Sequence, residues 1–173
     1  MALDSERSKS MNKLVIYKSK TGFTKEYAGH IAQAVGAQLM PLRDVSQVVM
    51  DRFETIIFGG GLYAGNVNGL GKLKRMYCSS TATRLVVFAC GATPNEASGT
   101  IEKMWKQNFT EMELSAIPHF YMQGGLAYEK MSPADRLAMK AVAKLKSSRE
   151  LEVSHDISSE KYAEPLIELV RKL

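Results

Sequence analysis

Short apolar segments of strand length alternate along this chain with segments of helical periodicity. The strand-like segments are residues 13–17, 38–42, 55–59, 84–90 and 117–122, and the helix-like segments between them are residues 27–35, 70–77 and 101–109. Strands that are joined through helices run in the same direction, and the helices then cover both faces of the sheet. The alternation therefore predicts an α/β fold with a doubly wound, five-stranded parallel sheet.

Length and composition set the domain organisation. A chain of 173 residues with 45% hydrophobic residues has the size of one domain, which buries roughly 70% of its unfolded surface. Residues 1–10 are polar and charged, so we expect a flexible leader there and a single domain over residues 11–173. Two cysteines without a C-x-x-C pair indicate a reducing, cytoplasmic setting.

Charge and residue types exclude several classes of partner. The net charge is +5, but lysines and arginines are scattered along helical faces without interleaved aromatics, so we expect no nucleic-acid binding. No apolar run approaches the ~18 residues that span a bilayer, so any membrane contact is peripheral. The three histidines, His30, His119 and His155, lack metal-ligand spacing, and we predict no metal site.

Helical periodicity also predicts which side chains enter the core. In residues 27–35 the apolar positions place His30 on the solvent side, and Gly36 follows as a stop. Trp105 lies on the apolar stripe of residues 101–109 and is expected in the core. Leu166 begins the apolar face of a closing helix, with Pro165 in its first turn.

Residues 19–24, Ser-Lys-Thr-Gly-Phe-Thr, join the first strand to the first helix. A helix start offers unpaired N–H groups and a positive dipole end, Gly22 permits close backbone approach, and three hydroxyls add donors. This combination predicts a cradle for one terminal phosphate. It differs from the dinucleotide G-x-G-x-x-G motif, and no P-loop is present, because residues 66–73 lack its first glycine and its final Ser or Thr.

Two further loops leave the carboxyl ends of strands. Residues 59–66 contain four glycines and Tyr63, and residues 89–94 contain Cys90, Gly91 and Ala92. Ligands of open parallel sheets bind at these ends. Small residues bring backbone groups close to a flat ring, and Tyr63 offers a stacking face. A phosphate beside a flat heterocycle suggests a mononucleotide.

The three loops, in this order, resemble those of the flavodoxin family. The resemblance covers residues 11–173 and implies FMN, with its single phosphate, as the cofactor. It implies that the phosphate is held by Ser19, Lys20, Thr21, Gly22, Phe23 and Thr24, that the ring is flanked by Gly61, Leu62, Tyr63, Ala64 and Gly65, and that its pyrimidine edge meets backbone groups of Cys90, Gly91 and Ala92. For the Lys20 side chain, neutralisation of the phosphate and a solvent-directed position both stay open. Cys90 is either a small buried residue or a redox thiol beside the flavin.

A long insertion, at about residues 123–150, is expected to interrupt the fifth strand, with a strand-like run over residues 151–155 behind it. Within it, Leu137, Ala138, Ala141, Val142 and Leu145 form an apolar stripe opposite Arg136, Lys140, Lys144 and Lys146. This basic amphipathic helix, residues 131–146, either covers a sheet edge or docks on an anionic partner or lipid headgroups. The insertion resembles the long loop of menaquinone-dependent protoporphyrinogen dehydrogenases. That resemblance implies a porphyrinogen substrate, a quinone acceptor, and a place at the inner membrane face.

The chain departs from the acidic electron shuttles of the flavodoxin family, because Gly65 and Ala92 stand where those often carry Asp. Less negative charge near the ring stabilises anionic reduced flavin, so we predict less negative potentials. No side chain is predicted to be catalytic. The function is then electron transfer to a redox partner protein, or enzymatic oxidation with a small-molecule acceptor. The alternatives are a flavin-free binding module and a signalling receiver, although residues 18–20 and 59–61 lack the carboxylates a receiver needs.

Overall fold

The computed structural model describes residues 12–146 and 154–173, so the expected leader lies outside the described residues. Five parallel strands form the central sheet in the order β2-β1-β3-β5-β6. They are β1 (Lys13–Lys18), β2 (Gln38–Pro41), β3 (Thr55–Tyr63), β5 (Arg84–Gly91) and β6 (His119–Gln123), and the short β4 (Asn66–Val67) pairs antiparallel with β3. The predicted doubly wound α/β fold is confirmed, and strand order reverses between β1 and β3.

Helices cover both faces of this sheet. They are α1 (Phe23–Val35), α2 (Gln47–Met50), α3 (Leu70–Cys78), α4 (Ser98–Asn108), α5 (Glu111–Ala116), α6 (Pro133–Lys146) and α7 (Glu164–Arg171). One core lies between the sheet, α1 and α7, and the other between the sheet, α3 and α4. Adjacent strand residues such as Val15 and Ile16 enter opposite cores because side chains alternate along a strand.

The positions of Trp105, Gly36 and Pro165 agree with the predictions from helical periodicity, whereas the position of His30 does not. Trp105 is buried and stacks on Phe109 with ring centroids 5.5 Å apart. Gly36 ends α1 with a φ of 65°, and Pro165 lies in the first turn of α7. The prediction that His30 faces solvent is wrong. Its ring packs toward the C-terminal segment, with Nδ1 3.4 Å from a Glu160 carboxylate oxygen, because that segment covers the flank of α1.

The glycine-rich segment after the third predicted strand is largely strand itself. Gly59 and Gly60 pair in register with both β1 and β5, and Gly61 pairs with β5. The strand β3 then continues to Tyr63. Residues 59–63 are therefore an extension of the strand, contrary to the loop expected there. The reason is close packing, since a side chain at Gly59 would overlap the Phe88 ring.

The insertion leaves the fold at the end of the fifth strand and does not interrupt it. Gly125, with a φ of 142°, turns the chain out of the sheet. There β7 (Gly125–Leu126) pairs antiparallel with β8 (His155–Asp156), which closes the base of the insertion. Of the expected strand over residues 151–155, only residue 155 is found in a strand, and residues 151–153 lie outside the described residues.

The helix of the insertion does not cover a sheet edge. Leu137 and Leu145 of the expected apolar stripe are 71% and 87% exposed, whereas Ala143 is buried. Ala138 and Val142 of the same stripe line the pocket together with Asp135 and Met139. The apolar stripe is therefore divided, because α6 packs over a pocket and not against the apolar sheet.

Candidate functional site

A pocket of about 760 Å³ opens at the carboxyl ends of β1, β3 and β5. It lies at the edge where ligands bind to open parallel sheets. Its lining includes twelve of the predicted site residues, namely Lys20, Thr21, Phe23, Thr24, Gly61, Leu62, Tyr63, Ala64, Gly65, Cys90, Gly91 and Ala92. Ser19 and Gly22 do not line it but shape its phosphate loop. The fold thus brings together the three loops that the sequence predicted as one site.

The predicted phosphate loop leads directly into α1. The Gly22 N–H donates to Ser19 Oγ at 3.0 Å, which folds the loop, and Gly22 has a φ of 108° that disfavours any larger residue. No side chain caps the start of α1. The N–H groups of its first turn therefore stay available for an anion, and the 13-residue helix supplies the dipole.

Thr24 occupies the junction between the phosphate loop and the glycine walls. Its side chain is buried near the Cys90 thiol. A Cβ at Gly61 would lie 3.2 Å from Thr24 Oγ1, so the wall passes close to the cradle only because residue 61 has no side chain. The Thr24 and Thr21 side chains border the pocket without filling it.

The two walls of the ring site approach one another just as closely. A Cβ at Gly91 would lie 2.8 Å from Leu62 Cδ1. The chain then turns through Ala64 and Gly65, with φ values of 48° and 77°. Tyr63, 41% exposed, stands at the lip of the pocket, where its ring is available for stacking. These positions suit a flat ring between backbone walls.

Lys20 of the phosphate loop contacts the insertion helix at the lip of the pocket. Its Nζ donates to Asp135 Oδ2 of α6 at 3.2 Å and lies 4.2 Å from the centroid of the Tyr63 ring. The nearby Tyr63 hydroxyl and the Lys20 ammonium both stabilise this carboxylate and lower the pKa of Asp135. The Asp135 carboxylate in turn raises the pKa of Tyr63.

Cys90 is a buried residue at the end of β5. Burial raises the pKa of its thiol to about 12, and the nearby Thr24 hydroxyl offsets this only in part. Because the thiolate is the reactive form, a redox role for Cys90 is disfavoured. Its contribution to the site is its backbone and its small volume, since a Cβ at Gly124 would lie 2.7 Å from the sulfur.

The residues that hold the third loop in place were not predicted from the sequence. The Tyr121 hydroxyl donates to the Thr93 carbonyl at 2.7 Å. Gln123 is a buried amide that accepts from the Asn95 N–H at 2.8 Å and donates to the Ile157 carbonyl at 2.8 Å. A polar glutamine at the end of an apolar strand was the available signal, because buried amides require partners.

The outer wall of the pocket was also missed. It is formed by α4, α6 and the segment before α6, and its apolar members are Ile101, Met104, Met131, Ala138, Met139 and Val142. His155 adds an imidazole from β8. The apolar periodicity of α4 and the apolar stripe of α6 were the available signals, but neither pattern predicted a pocket wall.

Charged groups around the pocket nearly balance. Among the described residues that line it, Lys20 and Asp135 are the charged side chains. Within residues 12–146 and 154–173, no cluster of three or more metal-ligating side chains occurs. In the same part of the chain, no helix is both long and apolar enough to cross a bilayer.

Comparisons with known proteins agree with this architecture. The flavodoxin domain family matches residues 14–151. No functionally curated protein matches the sequence closely enough to be called a relative.

Three solved structures illustrate the structural similarity. The flavodiiron core of Flv1 from Synechocystis sp. PCC6803 is 15% identical with a TM-score of 0.46, over 70% of this chain and 31% of that one. A flavodoxin from the domain Archaea is 18% identical with a TM-score of 0.42, over 79% of this chain and 99% of that one. A flavoprotein in complex with FMN from Lactobacillus acidophilus NCFM is 11% identical with a TM-score of 0.42, over 65% of this chain and 92% of that one.

The pocket fits the expected cofactor. A helix start free of side-chain caps faces one end of it, and glycines stand where added side chains would crowd the walls. Family membership and the pocket together support FMN as the cofactor. On its match over residues 14–151, which is most of its length, this chain belongs to the flavodoxin domain family.

Proposed function

We propose that this protein binds FMN and acts as a flavin-dependent redox protein. The observation that carries the proposal is the convergence of the phosphate loop and two glycine walls on one pocket of about 760 Å³. FMN supplies the electron and hydride chemistry when bound. The start of α1, Lys20 and Thr21 would hold the phosphate, and Leu62, Tyr63 and Gly91 would flank the ring.

We further propose that the protein is an enzyme that acts on small molecules, and not a carrier that transfers electrons between proteins. Met104, Met131 and Met139 line the pocket, and α6 contributes Met139 to this wall. A flexible methionine-rich wall accommodates an apolar, ring-bearing substrate, whereas a protein partner needs direct access to the flavin edge. A porphyrinogen as electron donor and a quinone as acceptor fit this chamber and the resemblance of the insertion.

A turnover assay separates the enzyme from the carrier. FMN-loaded protein is mixed with protoporphyrinogen and a soluble quinone, and porphyrin fluorescence is followed against free FMN. We expect turnover above the free-flavin rate, and Met139→Asp should reduce it because a charge in the apolar wall is costly. Oxidation no faster than with free FMN would contradict the enzymatic proposal and leave the carrier.

We also propose that α6 contacts an anionic membrane surface, at the cytoplasmic face. Leu137 and Leu145 are strongly exposed, and Lys140 and Lys144 lie beside them on the same helix. Such a helix binds in the headgroup region through apolar burial and attraction to anionic lipids.

Sedimentation with vesicles tests this contact. The protein should pellet with vesicles containing phosphatidylglycerol and not with pure phosphatidylcholine vesicles, and Leu137→Ser with Leu145→Ser should abolish pelleting. Met112→Ser is the matched control, because Met112 is 80% exposed on a different helix, α5. Equal loss of binding in the control, or no binding by the unmodified protein, would overturn the proposal.

A further inference from the structure

Three side chains from three separate segments meet at the lip of the pocket. Lys20 comes from the phosphate loop, Tyr63 from the end of β3, and Asp135 from the first turn of α6. We name them the rim cluster. Lys20 Nζ lies 3.2 Å from Asp135 Oδ2 and 4.2 Å from the centroid of the Tyr63 ring.

The rim cluster matters because α6 has little other attachment. Among the described side chains of this helix, Ala143 alone is buried. Arg136 bonds backbone carbonyls of Met131 and Glu129, which lie within the insertion itself. Among the described charged side chains of α6, Asp135 forms an ion pair with the body of the domain. Its side chain is 14% exposed.

Lys20 also belongs to the loop that would hold a phosphate. A phosphate at the start of α1 brings up to two negative charges to the same loop. One ammonium group offers three donors but a single charge, so the phosphate and the Asp135 carboxylate attract the same cation. An ion pair between Lys20 and the phosphate therefore weakens the pair between Lys20 and Asp135, and the reverse also holds.

We propose that Asp135 competes with the phosphate of the bound flavin for Lys20, so that cofactor binding and attachment of the insertion helix are coupled. This inference rests on the proposed FMN site. It makes Lys20 and Asp135 determinants of how strongly the protein prefers FMN over riboflavin, which has the same ring and no phosphate. Removal of the Asp135 charge frees Lys20 and should favour FMN selectively.

Flavin fluorescence quenching gives the dissociation constants of FMN and riboflavin for a double-mutant cycle. In Asp135→Asn the preference for FMN should rise about 1.5- to 5-fold, the range expected for a partly exposed ion pair. In Lys20→Met the preference should fall. In the double variant, Asp135→Asn should add nothing. Glu54→Gln, which removes the Glu54–Arg84 ion pair at the amino ends of β3 and β5, should leave the preference unchanged.

Two results would overturn the competition. If Asp135→Asn weakens FMN and riboflavin alike, Asp135 serves only to hold the insertion in place. If it raises the FMN preference equally in the Lys20→Met background, Asp135 acts by repelling the phosphate and not through Lys20.

Amide hydrogen exchange tests the attachment without any flavin. In the flavin-free protein, amides of α6 should exchange faster in Asp135→Asn than in Glu54→Gln, by about 1.5- to 5-fold. Failure of both flavins to bind the unmodified protein would reject the proposed function, while this exchange difference would still report the attachment. Unchanged exchange in Asp135→Asn would reject the attachment itself.

Discussion

At the scale of single residues, Cys90 and Tyr27 are two protonated groups held inside the fold. Burial is the main cause that raises the pKa of each to about 12. Tyr27 donates to the Gln123 carbonyl at 2.6 Å and accepts from the Ser159 N–H at 3.0 Å. It therefore ties α1 to the fifth strand and to the segment that follows the insertion.

Because both groups are protonated in the folded protein, we predict that alkaline pH destabilises the fold. The unfolded chain loses the Cys90 proton near pH 9 and the Tyr27 proton near pH 10, whereas the folded protein keeps both until about pH 12. The unfolded state thus binds fewer protons at alkaline pH, so the contribution of these two groups to the free energy of unfolding is constant well below pH 9 and falls above it. Each group contributes a slope approaching about 1.4 kcal/mol per pH unit.

Urea denaturation from pH 7 to pH 11 measures this slope. Cys90→Ala should flatten the decline that begins near pH 9, although it also lowers stability at every pH by creating a cavity. Cys78→Ala is the matched control, because Cys78 is exposed, and it should follow the unmodified protein. A Cys90→Ala decline as steep as that of the control would show that the buried thiol is not responsible.

Two glycines offer a second residue-scale prediction with opposite signs. A Cβ at Gly59 would overlap the Phe88 ring, whereas a Cβ at Gly29, within α1, has no atom within 4 Å. Gly59→Ala should lower the free energy of unfolding by about 1–3 kcal/mol through overpacking. Gly29→Ala should raise it by about 0.5–1 kcal/mol through helix propensity. Thermal unfolding of both variants checks the signs, and tolerance of Gly59→Ala would contradict the packing described.

At the scale of elements, the features that depend on nearby residues could be predicted from the sequence. The strands, the helices and the phosphate loop follow from the spacing of apolar residues, the positions of glycines and the clustering of hydroxyl side chains within a few residues. The partners Lys20 and Asp135 are 115 residues apart, and no local pattern links them. The inward face of α6 could not be predicted either, because that helix borders a pocket and its most apolar side chains stay exposed.

The base of the insertion depends on Gln123, and this gives a prediction about the element. Its side-chain amide accepts from the Asn95 N–H, in the loop after β5, and donates to the Ile157 carbonyl, in the segment after β8. Gln123→Met keeps most of the volume but leaves both groups unsatisfied, so the free energy of unfolding should fall by about 1–3 kcal/mol. Chemical denaturation measures the loss, and a variant as stable as the unmodified protein would show that water or rearrangement satisfies both groups.

At the scale of the whole molecule, the balance of charge around the pocket predicts its redox character. Gly65 and Ala92 bring no carboxylate to the ring site, and Asp135, the carboxylate that does line the pocket, is paired with Lys20. Near-neutral surroundings favour anionic reduced flavin more than an acidic site does. About 1.4 kcal/mol of such preference shifts a one-electron potential by about 59 mV.

Spectroelectrochemical titration of the FMN-loaded protein measures this character. We expect a second one-electron potential less negative than that of the acidic, low-potential shuttles of the family. Lys20→Met should make it more negative, since the Asp135 charge is then unpaired. A very low second potential in the unmodified protein would contradict the charge argument.

The most direct test of the FMN site is a titration of FMN with two matched variants. Gly61→Val places a side chain in the narrow gap beside Thr24 Oγ1, whereas Gly99→Val places the same side chain in open space on α4. We predict one FMN per chain for the unmodified protein and for Gly99→Val, and strongly weakened binding for Gly61→Val. Absence of FMN binding to the unmodified protein, or equal binding by Gly61→Val, would contradict the site described.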